Sequence, residues 1–162
     1  MRGFVALLRR ECRDARWHLV GSAALAVAVP FAVHGWMMDG ASAEAMATTG
    51  GCWLVPILFA LFAAATASDL VARDVATRRI DALAVLPVPG SLVWAAKFTL
   101  FLGASLGFLV WLIAAEWLAI ETTRSTPGSG LFLAELLDAI PSLLGGLALG
   151  TASLFLDRKS VV

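Results

Sequence analysis

Four stretches with no Asp, Glu, Lys or Arg constrain this chain more than any other feature. They lie between Arg16 and Asp39, Glu44 and Asp69, Lys97 and Glu116, and Asp138 and Asp157, and they hold 22, 24, 18 and 18 residues. A helix rises about 1.5 Å per residue, so about 20 apolar residues cross a hydrocarbon core about 30 Å thick. The spacing predicts membrane spans at about 19–38, 46–68, 92–115 and 139–156. Hydrophobic residues make up 60% of the chain and charged residues 15%, with a mean hydropathy of +0.86. Soluble domains run at about 45–50% apolar and about 25% charged. A core built by 162 residues cannot hide the excess from water. Both a soluble enzyme and a disordered chain are therefore disfavoured.

Backbone groups in lipid must bond internally, which selects helices or closed barrels. The Leu- and Ala-rich runs do not alternate as barrel strands do. The expected fold is all-α: a polytopic membrane helix bundle with residues 1–162 as one transmembrane domain. It comprises four transmembrane helices, an N-terminal interfacial helix over 1–16 and a cytoplasmic loop at 69–91 that carries a short helix. Pro30 and Pro56 each remove one intrahelical bond, which reads as a local kink. Ala24-Leu25-Ala26 fits a signal-peptidase site. The long charged lead and the long apolar run instead predict a retained span.

Basic residues near span ends set orientation. Arg2, Arg9, Arg10, Arg13 and Arg16 precede the first span. Arg73, Arg78, Arg79 and Lys97 surround the middle loop, and Arg158 and Lys159 follow the fourth span. Eleven of the twelve basic residues thus fall on one side and only Arg124 on the other. Both termini and the middle loop are expected in the cytoplasm of a cell whose inner or plasma membrane the chain crosses. Asp39, Glu44, Glu116, Glu121, Glu135 and Asp138 then form an acidic outer face. Trp17 and Trp94 fall at the inner boundary, and Trp36, Trp53 and Trp117 at the outer one, as an aromatic belt requires. Trp111 lies deeper. Lys97 is expected to snorkel to the headgroups.

Phe4, Leu7, Leu8, Cys12 and Ala15 recur at helical spacing, with most arginines on other faces, as in an interfacial amphipathic helix. After the second span, Val71, Val75 and Ala82 are spaced for another short helix, which Pro87 and Pro89 stop. Its mixture of charge and apolar surface suits docking of a cytoplasmic partner. Gly103 and Gly107 form a GxxxG in the third span, and Gly146 and Gly150 another in the fourth; both read as close helix-packing sites. Glu135 and Asp138 suit a helix N-terminus.

Chemistry is sparse. The chain has no GxxxxGK[ST], HExxH or GxSxG motif. His18 and His34 sit at opposite ends of one span and cannot share a metal. Cys12 and Cys52 fall on opposite sides of the bilayer and cannot pair. His34 reads as a boundary residue, and no charged residue is expected near the middle of a span, which disfavours an ion-coupled carrier. No catalytic residue, metal site or cofactor is expected. The 12 basic and 12 acidic residues balance and give no nucleic-acid signature.

One resemblance stands out. An N-terminal amphipathic helix, two spans, a charged cytoplasmic helix ending in Leu83-Ala84-Val85-Leu86-Pro87-Val88-Pro89, and a span opening with Lys97, ten residues after Pro87, resemble the type-2 ABC exporter permease family. Asp74 stands where that family often has an acidic residue. Ile80-Asp81 matches its Leu-Glu, and Arg78-Arg79 replaces its Gly-Thr. The resemblance implies an exporter permease driven by a separate ATP-binding subunit and working as a two-permease assembly. It implies docking of that subunit through Arg73, Asp74, Arg78, Arg79 and Asp81, with Leu83, Leu86 and Pro87 holding the coupling helix to the membrane. The family has six spans against four here, which implies a four-span relative or the front part of a longer permease. A non-transporting four-span scaffold or assembly factor is the alternative.

Overall fold

A computed structural model describes residues 2–37, 49–76, 90–122 and 129–156. Among them every element is helical, interrupted only by a turn at Ala139. The elements are α1 (Arg2–Ala32), α2 (Val55–Ala76), α3 (Gly90–Thr122), α4 (Ser129–Asp138) and α5 (Ile140–Leu156). A π-helical turn at Val33–Met37 extends α1, and a second at Thr49–Leu54 leads into α2. Two helices, Phe4–Gly35 and Gly90–Thr122, are long and apolar enough to cross a membrane, with mean hydropathies of 1.5 and 2.1. Val55–Leu70 and Ile140–Ala152 are shorter apolar helices.

Several boundaries differ from the sequence expectation. The second apolar stretch, expected to span 46–68, is α-helical only from Val55 and runs on to Ala76, past the expected start of the cytoplasmic loop. The N-terminal amphipathic segment and the first span form one unbroken helix, because nothing between Arg16 and Leu19 breaks it. The third helix runs past Ala115 to Thr122, so Glu116 and Glu121 belong to α3 instead of an outer loop. A separate helix, α4, precedes α5. It passes into α5 through Ala139, whose N–H donates to the carbonyls of Glu135 (3.1 Å) and Leu136 (3.2 Å). Pro141 at the second position of α5 has no N–H to offer a preceding carbonyl, which favours a fresh helix start there.

The helices pair unequally. α1 packs along α3, α2 packs along α5, and α2 also leans on α3, while α1 and α2 barely touch. Two apolar layers are stacked along the bundle. One joins Ala15, Ala63, Ala67, Leu70, Leu100 and Phe101, and the other joins Ala26, Val55, Phe59, Leu112, Ile120 and Leu143. Large apolar side chains also cover the outside: Leu25, Leu61, Val110, Leu144 and Leu149 are all exposed.

Small residues bring α2 and α5 together. A Cβ added to Gly146 would lie 3.2 Å from Cα and Cβ of Ala60. One added to Gly150 would lie 2.7 Å from Cζ of Phe101 and 3.1 Å from Cβ and O of Ala63. Gly103 and Gly107 behave differently. They face outward, and an added Cβ meets nothing within 4 Å. Gly150→Ala should therefore lower stability by about 1–3 kcal/mol through overpacking. Gly103→Ala should be neutral or stabilise by about 0.4–1 kcal/mol through reduced unfolded-state freedom. Denaturant unfolding of the two variants in micelles checks the contrast.

Candidate functional site

The chemistry-bearing side chains converge between the helices, at three levels of the bundle. At one end, Ala26, Pro30 and His34 recur every four residues, and all three are buried. On α3, Leu112, Glu116 and Ile120 make the matching buried stripe. The two stripes meet, and His34 Nε2 contacts Glu116 Oε1 with both side chains fully shielded from solvent. His34 Nδ1 and Glu116 Oε2 have no hydrogen-bond partner among the described residues. Buried polar groups are rarely left so. His34 is thus an interior residue, and Glu116 is a carboxylate inside the bundle where none was expected.

At the other end, Lys97 turns inward instead of snorkelling and is 3% exposed. Its ammonium donates to the Leu70 carbonyl at 2.5 Å and lies 3.6 Å from Glu11 Oε2. One side chain near the start of α3 therefore ties the N-terminal turns of α1 to the last turns of α2. An ammonium that leaves water needs such compensation.

The middle level bridges α1 and α2, which otherwise hardly meet. His18 Nε2 and Thr66 Oγ1 are 3.1 Å apart. His18 stacks on Phe62 with ring centroids 5.8 Å apart, and Phe62 stacks on Phe108 of α3 at 3.9 Å. Ser105 Oγ on α3 is buried and has no hydrogen-bond partner among the described residues. Trp111 Nε1–H donates to the Ala23 carbonyl at 3.1 Å, which accounts for a tryptophan placed deep in its span.

Of the residues the sequence singled out for docking, Arg73 and Asp74 lie in the last turn of α2. Arg78, Arg79, Asp81, Leu83, Leu86 and Pro87 lie outside the described residues. Gly146 and Gly150 sit at the α2–α5 contact, and Gly103 and Gly107 sit on the open face of α3. Sequence reasoning missed the His34–Glu116 pair and the inward Lys97. A usable signal existed in the four-residue spacing that puts Glu116 on one stripe with Leu112 and Ile120, but its partner is 82 positions away. Among the described residues, no three His, Cys, Asp or Glu side chains converge on a potential metal site.

Removing one member of a buried pair strands the other. Glu116→Ala should therefore cost more than the ~0.6 kcal/mol typical of interhelical hydrogen bonds in membranes, and up to about 3–5 kcal/mol if the pair is ionised. His34→Leu combined with Glu116→Met should recover most of that loss. A double-mutant cycle read by unfolding in micelles measures the coupling.

No protein-family model, curated protein or solved structure matches this chain.

Proposed function

We propose that the chain is the membrane-spanning permease subunit, or the N-terminal part of one, of an ABC-type exporter in the cell membrane. In this reading it crosses the bilayer four times with both termini in the cytoplasm, and ATP is hydrolysed on a separate subunit. Two of the four spans correspond to the long apolar helices. The other two correspond to α2, whose apolar part Val55–Leu70 reaches about 24 Å at 1.5 Å per residue, and to the 17-residue α5. A short span is accommodated by local bilayer thinning at a modest cost. The exposed Leu and Val side chains around the bundle suit a lipid environment and would be a liability in water.

The observation that carries the transport reading is the Lys97 contact. Residues 77–89 join α2 to α3, and Lys97 ties these two helices together close to that connection. It also holds the N-terminal turns of α1. A force delivered to the connection by an ATP-driven partner would therefore act on three helices as a unit. The resulting tilt would change access at the far end, where His34 and Glu116 hold α1 against α3. Coupling then needs a rigid lever, and a buried ammonium held by a carbonyl and a carboxylate supplies one.

A second copy of the permease fits the outward face of α3. There Gly103 and Gly107 leave room for close backbone approach, with exposed Leu106 and Val110 beside them.

The test expresses the chain with its candidate ATPase subunit. Arg78→Glu with Arg79→Glu should abolish co-purification. Lys97→Met should leave co-purification intact but reduce the permease's stimulation of ATP hydrolysis. If no ATPase co-purifies with the unmodified chain, the non-transporting scaffold takes the place of this reading. If Lys97→Met leaves the stimulation unchanged, the lever is wrong.

A further inference from the structure

The arginines of α1 and its carboxylates are sorted onto different faces. Ala15 is buried and belongs to the bundle core. Glu11 lies four residues before it and shares that inward face, with its carboxylate 3.6 Å from the buried Lys97 ammonium. Asp14 lies four residues before His18, which meets Thr66 of α2; the Asp14 side chain is half-buried and makes an interaction of its own. Arg9, Arg13 and Arg16 recur at i, i+4 and i+7 on the opposite face, and all three are exposed. Arg10, also exposed, lies between the two faces, four residues before Asp14, and is set against it in the charge count. The outward face therefore carries three guanidinium groups, and neither carboxylate of residues 2–16 lies on it. The whole end is basic too: adding Arg2, Arg10, Arg73 and Lys97, seven basic residues stand against Glu11, Asp14, Asp69 and Asp74 among the described residues.

This face adjoins the apolar part of the helix. Trp17 opens the 22-residue stretch without charge. It is 73% exposed, and the Arg16 guanidinium lies 5.2 Å from its ring centroid. A tryptophan at the start of a span sits at headgroup level, and Val20 beyond it on the same face is also exposed. The helical rise puts Arg13 about 6 Å and Arg9 about 12 Å from Trp17 along the axis. The headgroup layer is about 5–7 Å deep on each side of the hydrocarbon. Arg16 and Arg13 therefore reach into it, and Arg9 stands within a Debye length of its surface. A soluble acidic partner would have to displace headgroups to reach Arg13 and Arg16, whereas lipid phosphates already lie at that depth.

We propose that the outward face of α1, built from Arg9, Arg13 and Arg16, binds the phosphate headgroups of anionic membrane lipids, with Trp17 and Val20 against their acyl chains. The guanidinium fork matches phosphate oxygens in pairs. Basic residues clustered beside a span also gain from the negative surface potential of an anionic leaflet. One helix then uses both signs of charge: Glu11 holds Lys97 inside the bundle, and the arginines hold lipid outside it. The proposal goes beyond the permease reading and needs only a chain embedded in a bilayer, so a failure to find an ATPase partner leaves it standing.

The experiment takes the full chain in nonionic detergent micelles and titrates it with phosphatidylglycerol, or with phosphatidylcholine of the same acyl chains. Bound lipids are counted by native mass spectrometry. Phosphatidylglycerol is expected to bind about tenfold more tightly or better, as three arginines near a surface allow. Arg9→Gln, Arg13→Gln and Arg16→Gln combined should bring the two lipids to within about threefold of each other. Phosphatidylcholine binding should stay unchanged in that variant and doubles as the folding control. Arg13→Gln with Arg16→Gln should produce most of the loss, because these two reach the headgroup layer. Arg158→Gln with Lys159→Gln removes a basic pair elsewhere and should leave the preference intact. No preference for phosphatidylglycerol in the unmodified chain, or a preference that survives the triple substitution, overturns the proposal. A preference lost equally on changing Arg158 and Lys159 reduces it to general charge and overturns this face as the site. Displacement of the lipid by millimolar glycerol 3-phosphate makes the face a seat for soluble phosphate and overturns the assignment to lipid.

Discussion

Lys97 and the His34–Glu116 pair are the polar contacts on which the arrangement of these helices depends. If hydrocarbon surrounds the bundle, apolar contact between helices gains little over apolar contact with lipid. Leucine against leucine then holds a bundle together without choosing its arrangement. The choice falls to groups that lipid cannot satisfy, and to places where small residues let backbones approach. The two apolar layers are accordingly pinned by polar contacts at both ends of the bundle, with Gly146 and Gly150 closing α5 onto α2 between them.

The same logic explains the uneven packing. α1 is held to α3 at His34–Glu116 and again at Glu11–Lys97. α2 is held to α5 by the glycine contacts and to α3 through the Leu70 carbonyl. Between α1 and α2, the polar contact in the middle of the bundle is His18–Thr66, and there a groove opens. The bundle is thus tied by polar contacts at both ends, and the groove opens where α1 and α2 touch little.

Much of the helical character was legible in the sequence, because charge-free length is a one-dimensional property. The stretches after Arg16 and Lys97 became the two long apolar helices, α2 takes up only the later part of the second stretch, from Val55, and α5 holds the fourth. Boundaries were harder. Nothing local distinguishes an interfacial helix from the first turns of a span when no breaker separates them, and Glu116 looks like an end signal until its partner is known. The site was mostly illegible for the same reason. Lys97 invites a snorkelling reading because its stem is long, and only the approach of Glu11 and Leu70 from distant parts of the chain turns it inward. The coupling residues Arg78 to Pro87, read from a resemblance, fall outside the described residues.

Accessibility labelling tests most directly whether lipid is this chain's solvent. With Cys12 and Cys52 replaced by Ser, single cysteines are introduced as Arg78→Cys, Val110→Cys and Arg124→Cys in intact cells treated with a membrane-impermeant maleimide. The expected result is labelling at 124 from outside, at 78 only after the membrane is opened, and at 110 in neither case. Labelling of 78 from outside, or ready labelling of 110 in opened cells, would contradict the account.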